Sequence, residues 1–137
     1  MAISLKSTEQ IGLIRESGKI VAETFELFES QICPRVTTAL LDGLAAECIR
    51  SRGAVPSFLG CRGFPVNICA SVHNGAFHGV SGLRRIVSGD IVSIDIGVFK
   101  NRHHADAAMY DRLSAHYGNT VIVTAGEPAL ITLLGAA

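Results

Sequence analysis

The segment from Gly89 to Tyr110 constrains the fold more than any other part of the sequence. Its first part, Ile91 to Lys100, is strongly apolar and predicts a buried strand. A second strand is predicted from about His103 to Tyr110, and the short connection between the two is typical of an antiparallel hairpin. The chain must therefore provide an antiparallel sheet.

Two amphipathic helices are predicted before these strands. A capping box at Ser7–Gln10 begins the first, and its apolar stripe runs in steps of three and four residues to Phe28. The second begins at Thr37 or Thr38 and ends at Gly53. Helices first and antiparallel strands afterwards predict an α+β fold, in which two N-terminal helices pack on an antiparallel sheet.

Length and charge limit the function classes. At 137 residues the chain has room for about one domain, so we predict a single domain over residues 1–137. Basic and acidic residues balance at a net charge of zero, which argues against a nucleic-acid partner. The sequence shows neither a membrane-spanning stretch nor a signal peptide, and its four cysteines form no C-x-x-C pair. We therefore expect a cytoplasmic protein with reduced thiols and no membrane partner.

Two aspartates in the predicted hairpin need an explanation. A two-residue turn at Lys100–Asn101 pairs Phe99 with Arg102, and that register sets Asp95 directly opposite Asp106. Like charges in that position destabilise a sheet, unless the carboxylates share a proton or bind a bridging cation. The alternative is a bulge that shifts the register and turns one aspartate to solvent.

Two histidines accompany the pair of aspartates. His104 lies two residues before Asp106, so strand alternation puts it on the same face of the sheet. His78 precedes a glycine in an apolar context, from which it could reach a substrate. The alternative for His78 is a hydrogen-bonded structural role.

These and other motifs give the chain a resemblance to a known family. It resembles the type I methionine aminopeptidases, metallopeptidases of the pita-bread fold, with motifs in family order and spacing over residues 1–110. Residues 113–134 are similar to the C-terminal strands of that family. The motifs of the first stretch are Ile11–Ala22, Val36–Thr38, Gly63–Pro65 with Ile68–Val72, His78–Gly79, Gly89–Gly97 and His104–Asp106.

The resemblance implies a metal-dependent removal of N-terminal methionine. The family binds two divalent metals, such as Co, Mn, Fe or Zn, through two Asp, one His and two Glu residues. Asp95 and Asp106 match its two aspartate ligands, and His78 matches the histidine that contacts the substrate amide. His104 is expected to lie next to the metal ligands and not to bind the metal itself. Three positions match the pocket for the methionine side chain, namely Phe58, Cys61 and Phe64.

The sequence also departs from the family pattern. Nearly all of the family's second half is missing, Gly118 stands at a Glu ligand position, and Cys61-Arg62 replaces Tyr-His. Three of the five metal ligands are thus absent, so we expect one copy to bind metal weakly and its activity to be impaired or lost. A homodimer could combine two aspartate pairs and act on a peptide N-terminus. The alternative is a non-catalytic binding module, a pseudoenzyme that recognises nascent chains or a protein partner.

Overall fold

The computed structural model describes residues 4–72, 80–87, 89–90, 92–110, 121–122 and 129–130. Two helices come first and short strands follow, as the sequence predicts. The elements are α1 (Thr8–Gln31), α2 (Thr38–Ser51), β1 (Val55–Pro56), a 3-10 turn (Cys61–Gly63), β2 (Cys69–Val72), β3 (Val92–Lys100), β4 (His103–Tyr110), β5 (Val121–Ile122) and β6 (Ala129–Leu130). Within the described residues, no helix is both long enough and apolar enough to cross a membrane.

The ends of both helices follow the predicted capping chemistry. Ser7 caps α1, and its side chain and that of Gln10 each accept a hydrogen bond from the other's backbone N–H, which completes the capping box. The side chain of Thr37 caps α2 by accepting from the N–H of Leu40. After α2, Gly53 takes a φ of 70°, a left-handed conformation that glycine adopts without a steric penalty. The predicted helix starts are confirmed, and α2 ends at Ser51, two residues before the predicted Gly53.

Strand β3 is the centre of a four-stranded antiparallel sheet. On one side it pairs with β4, and on the other it pairs with β1 near its end and with β2 near its beginning. In the β3–β4 hairpin, Lys100 pairs with His103, so the turn consists of Asn101 and Arg102. The strands β5 and β6 form a separate antiparallel pair.

The predicted register of the β3–β4 hairpin is wrong. A turn at Lys100–Asn101 was expected, whereas both Asn101 and Arg102 have positive φ, at 50° and 64°. Two consecutive residues of this kind make the turn that matches the twist of a hairpin, and Asn is favoured in it. The pairing therefore moves by two residues, and Asp95 faces Ala108 while Asp106 faces Gly97.

The two faces of the sheet have different roles. Helix α1 packs against β3 and β4, and α2 packs against α1 and β1. Alternate residues of β3 point into this apolar core, while the residues between them lie on the opposite face. We call that opposite face the site face; it carries Ser93, Asp95, Gly97 and Phe99 from β3. The core includes Val21, Phe25, Phe28, Leu41, Ile49, Ile68, Ile94, Ile96, Val98, Ala105 and Ala107.

Candidate functional site

Asp95 and Asp106 lie on the same face of the sheet, but diagonally. Asp106 pairs with Gly97, which is two residues from Asp95 and so points to the same side. Diagonal neighbours of this kind are about 7–8 Å apart, against about 5 Å for directly opposed residues. Asp95 is half-buried and Asp106 is exposed. The diagonal spacing weakens the repulsion between the carboxylates and leaves room between them for a bound group.

Gly97 allows another segment to approach the site face closely. A Cβ atom at this position would lie 2.9 Å from Cβ of Ser57 and 3.0 Å from the ring of Phe58. The N–H of Ser57 donates to the carbonyl of Gly97 at 2.9 Å, which fixes the approach of the backbone. The missing side chain thus lets residues 57 and 58 pack directly on Gly97, the residue that pairs with Asp106.

His104 is held on the site face by two contacts. Its Nδ1 lies 2.9 Å from the hydroxyl oxygen of Ser57. Its ring is 4.4 Å from the ring of Phe99, at an interplanar angle of 35°. Because His104 and Asp106 are two residues apart in β4, both side chains lie on the site face, as the sequence predicts.

A cavity of about 320 Å³ opens beside Asp95. The predicted pocket residues Phe58, Cys61 and Phe64 all line it. The described part of its wall also includes Arg62 and Cys69, which the sequence analysis did not assign to a pocket. Strand pairing explains one of these additions, since Cys69 lies directly opposite Asp95 in the β2–β3 ladder.

The thiol of Cys69 is kept protonated by its surroundings. Burial raises the pKa of Cys69 to about 11, and the negative charge of Asp95 acts in the same direction. A protonated thiol is a small apolar group and a poor metal ligand. Cys69 therefore belongs to the apolar wall of the cavity.

The two aspartates are the type of residue that binds a divalent cation, but they are fewer than the ligands that such a cation needs. Carboxylate oxygens suit hard divalent cations, which can complete their coordination with water. Within the described ranges, no group of three or more His, Cys, Asp and Glu side chains is arranged to hold a metal. Asp95 and Asp106 would supply two carboxylate ligands to such a cation, and water would have to complete its coordination. His78 and Gly118 lie outside the described residues.

The sequence predicts that the two aspartates, His104 and three residues of the cavity wall belong to the site. It does not predict that Ser57, Arg62 and Cys69 belong to it. Cys69 could have been found only by pairing its strand with β3, which sets it directly opposite Asp95. The roles of Ser57 and Arg62 depend on how the irregular segment before β2 folds back, and strand periodicity carries no information about that.

Comparison with known proteins gives this arrangement a family. The sequence profile of metallopeptidase family M24 matches residues 12–110. A methionine aminopeptidase of Clostridium perfringens is 47% identical over 106 residues, which are 77% of this chain and 43% of that protein. Methionine aminopeptidase 1 of Bacillus subtilis is 43% identical over a segment of the same length. The chain thus matches less than half of the length of these relatives.

The fold leads to the same family. The crystal structure of methionine aminopeptidase from Rickettsia prowazekii superposes with a TM-score of 0.77 at 31% identity, over 80% of this chain and 44% of that one. The Thermotoga maritima enzyme gives 0.76 at 28% identity, over 80% of this chain and 44% of that one. Two helices on an antiparallel sheet are therefore part of a pita-bread fold, and the chain belongs to metallopeptidase family M24, with methionine aminopeptidases among its relatives.

Proposed function

We propose that this chain acts in the metal-dependent removal of N-terminal methionine from peptides. The observation that carries the proposal is the diagonal placement of Asp95 and Asp106 on the site face, beside a cavity with apolar walls. The two carboxylates would hold a divalent cation between them. Such a cation supplies the Lewis-acid chemistry that peptide hydrolysis needs. Co, Mn, Fe and Zn are the candidates.

The cavity beside Asp95 is proposed to take the methionine side chain. Aromatic rings at Phe58 and Phe64 and the thiols of Cys61 and Cys69 form its walls. A flexible thioether packs well against aromatic rings and polarisable sulfur. In this position the peptide amino group would be close to Asp95, at the boundary between the cavity and the metal site. His78 is proposed to contact the substrate amide.

The residues of this sequence supply fewer ligands than the family resemblance implies for two metals. We therefore propose that one copy binds its cation weakly and hydrolyses peptides slowly. A homodimer would bring a second pair of aspartates and could restore a fuller ligand set. The similarity of residues 113–134 to the last strands of the family, within one domain over 1–137, stays a prediction. So does the cytoplasmic location.

A second candidate function is peptide binding without hydrolysis. It is favoured by the contrast between the cavity, whose described wall consists mostly of aromatic rings and thiols, and the described ligand set, which contains only two carboxylates. A chain of this kind would recognise an apolar N-terminal residue of a nascent chain or a protein partner. The two candidates share the cavity and differ in turnover.

Methionine release from a short Met-Ala peptide in the presence of added Co²⁺, Mn²⁺ or Fe²⁺ distinguishes them. Under the proposal, release depends on the metal, and Asp106→Asn abolishes it. Glu47→Gln is a matched control, because Glu47 is an exposed acid on α2, away from the site face. A folded protein that binds the peptide and releases no methionine with any of the metals would favour the binding module.

A further inference from the structure

The wall of the cavity contains two charges of opposite sign. Among its described lining residues, Arg62 carries a positive charge and Asp95 a negative one, and the others are aromatic rings and thiols. An apolar side chain and a free amino group account for the rings and for Asp95. Nothing in a neutral peptide backbone requires a guanidinium in the same wall. Arg62 is therefore the part of the cavity that the proposed function leaves unexplained.

The backbone at Arg62 is held in a conformation that side chains rarely adopt. Its φ of 50° and ψ of 35° are left-handed, and it lies between two glycines with φ of 78°. Hydrogen bonds close the turn around it, from the N–H of Gly60 to the carbonyl of Phe64 at 2.8 Å and from the N–H of Phe64 to that of Cys61 at 2.9 Å. Non-glycine residues in this region cluster at ligand-binding sites.

Arg62 is also available for a ligand. It is exposed, and within the described part of the chain it has neither a hydrogen bond nor an ion pair. By contrast, Arg52 and Arg84 each lie next to a carboxylate, at 2.8 Å from Glu23 and 4.0 Å from Asp90. A guanidinium binds a carboxylate in a planar, two-pronged geometry that neutral groups do not match.

We infer that Arg62 recognises a carboxylate on the ligand whose apolar side chain fills the cavity. The inference rests on the proposed function and adds a substrate class to it. The ligand would carry three features, namely an apolar side chain between the rings, an amino group near Asp95 and a carboxylate at Arg62. Two sources supply such a carboxylate: the α-carboxylate of a free amino acid, and an acidic second residue of a peptide.

Two matched pairs of probes separate these sources. L-methionine and L-methioninamide differ only at the α-carboxylate. The peptides Met-Glu-Ala-amide and Met-Gln-Ala-amide differ only at the side chain of the second residue. Stronger binding of L-methionine than of L-methioninamide identifies recognition of a free amino acid. Stronger binding of Met-Glu-Ala-amide than of Met-Gln-Ala-amide identifies recognition of an acidic second residue.

The chain contains its own reporter for occupancy of the cavity. Cys61 is exposed and lines the cavity, so a bound probe should slow its alkylation by iodoacetamide. Cys33 is also exposed and is not among the residues of that wall, and it serves as the internal reference. Peptide mapping by mass spectrometry gives both alkylation rates in one sample. The assay requires no turnover, and it is run with EDTA and again with Mn²⁺.

The expected result is that the carboxylate probe of one pair protects Cys61 at about fivefold lower concentration than its neutral partner, as for a favourable ion pair at an exposed site. Arg62→Gln should remove this preference, and Arg62→Lys should retain part of it. Arg102→Gln should leave it unchanged. That control is matched, since Arg102 is also exposed, has a φ of 64° and lies in the β3–β4 turn.

Three results would overturn the inference. Equal protection by both members of each pair would show that the cavity binds an apolar N-terminal residue without reading a carboxylate, which leaves the proposed function standing. A preference that survives in Arg62→Gln would assign the carboxylate to another residue. If no probe protects Cys61 with EDTA or with Mn²⁺, the proposed substrate cavity fails, and the inference fails with it.

Discussion

Adding one methyl group at Gly97 should disturb both the fold and the cavity. The new Cβ atom would lie 2.9 Å from Cβ of Ser57 and 3.0 and 3.1 Å from two ring atoms of Phe58. The ring of Phe58 can rotate away, whereas the backbone of Ser57 is tied to Gly97 by its own hydrogen bond. The strain must therefore move the segment that forms one wall of the cavity.

The size of the effect follows from two opposing terms. Inserting a methyl group into a packed contact typically costs about 1–3 kcal/mol. Gly97 has no left-handed φ, so alanine fits its backbone. Alanine also restricts the unfolded chain, which by itself raises the free energy of unfolding by about 0.4–1 kcal/mol. The free energy of unfolding of Gly97→Ala should thus fall by about 1–2 kcal/mol.

Urea denaturation monitored by circular dichroism measures this change, and Gly43→Ala is the matched control. Gly43 lies in α2, and a Cβ atom there would meet nothing within 4 Å. Alanine at position 43 should therefore raise the free energy of unfolding by about 0.5–1 kcal/mol. If Gly97→Ala is as stable as wild type, or is stabilised like the control, the close packing of residues 57 and 58 on Gly97 is refuted.

Two further predictions concern buried groups. Asp42 is 8% exposed, and its carboxylate accepts hydrogen bonds from Asn67 N and Nδ2 and from Ile68 N. Asp42→Ala should therefore lower the free energy of unfolding, measured by urea denaturation, by about 2–4 kcal/mol. A loss under about 1 kcal/mol, or an equal loss in Glu47→Ala, would contradict this. The pKa of Cys69 is raised from 9.0 to about 11, and its buried thiol therefore stabilises the fold below pH 9 and loses this contribution as the pH rises towards 11. Over that range the melting temperature of wild type should fall more steeply than that of Cys69→Ala, and parallel curves would refute the assignment.

The sequence predicts the helices and strands well, because their signals are local. The capping box at Ser7 and the threonine cap at Thr37 each depend on residues three positions apart. The long apolar run of β3 identifies the central strand, and its return strand begins and ends where expected, at His103–Tyr110. These features need no knowledge of distant contacts.

The details of the site depend on longer-range geometry. The register of the hairpin is decided by which two residues accept a positive φ, and Asn101 with Arg102 does so in place of Lys100 with Asn101. A shift by two residues keeps Asp95 and Asp106 on one face and changes their spacing. The wall of the cavity comes from an irregular segment that packs over Gly97, and only the three-dimensional structure shows that contact.

Binding of Mn²⁺, followed by isothermal titration calorimetry, shows whether Asp95 and Asp106 hold one cation between them. Wild type should bind the ion, Asp95→Asn and Asp106→Asn should each weaken binding by about tenfold or more, and Glu47→Gln should have no effect. Both single variants should weaken binding at the same site. Equal Mn²⁺ affinity in wild type and both aspartate variants would contradict the claim that the two carboxylates share one cation.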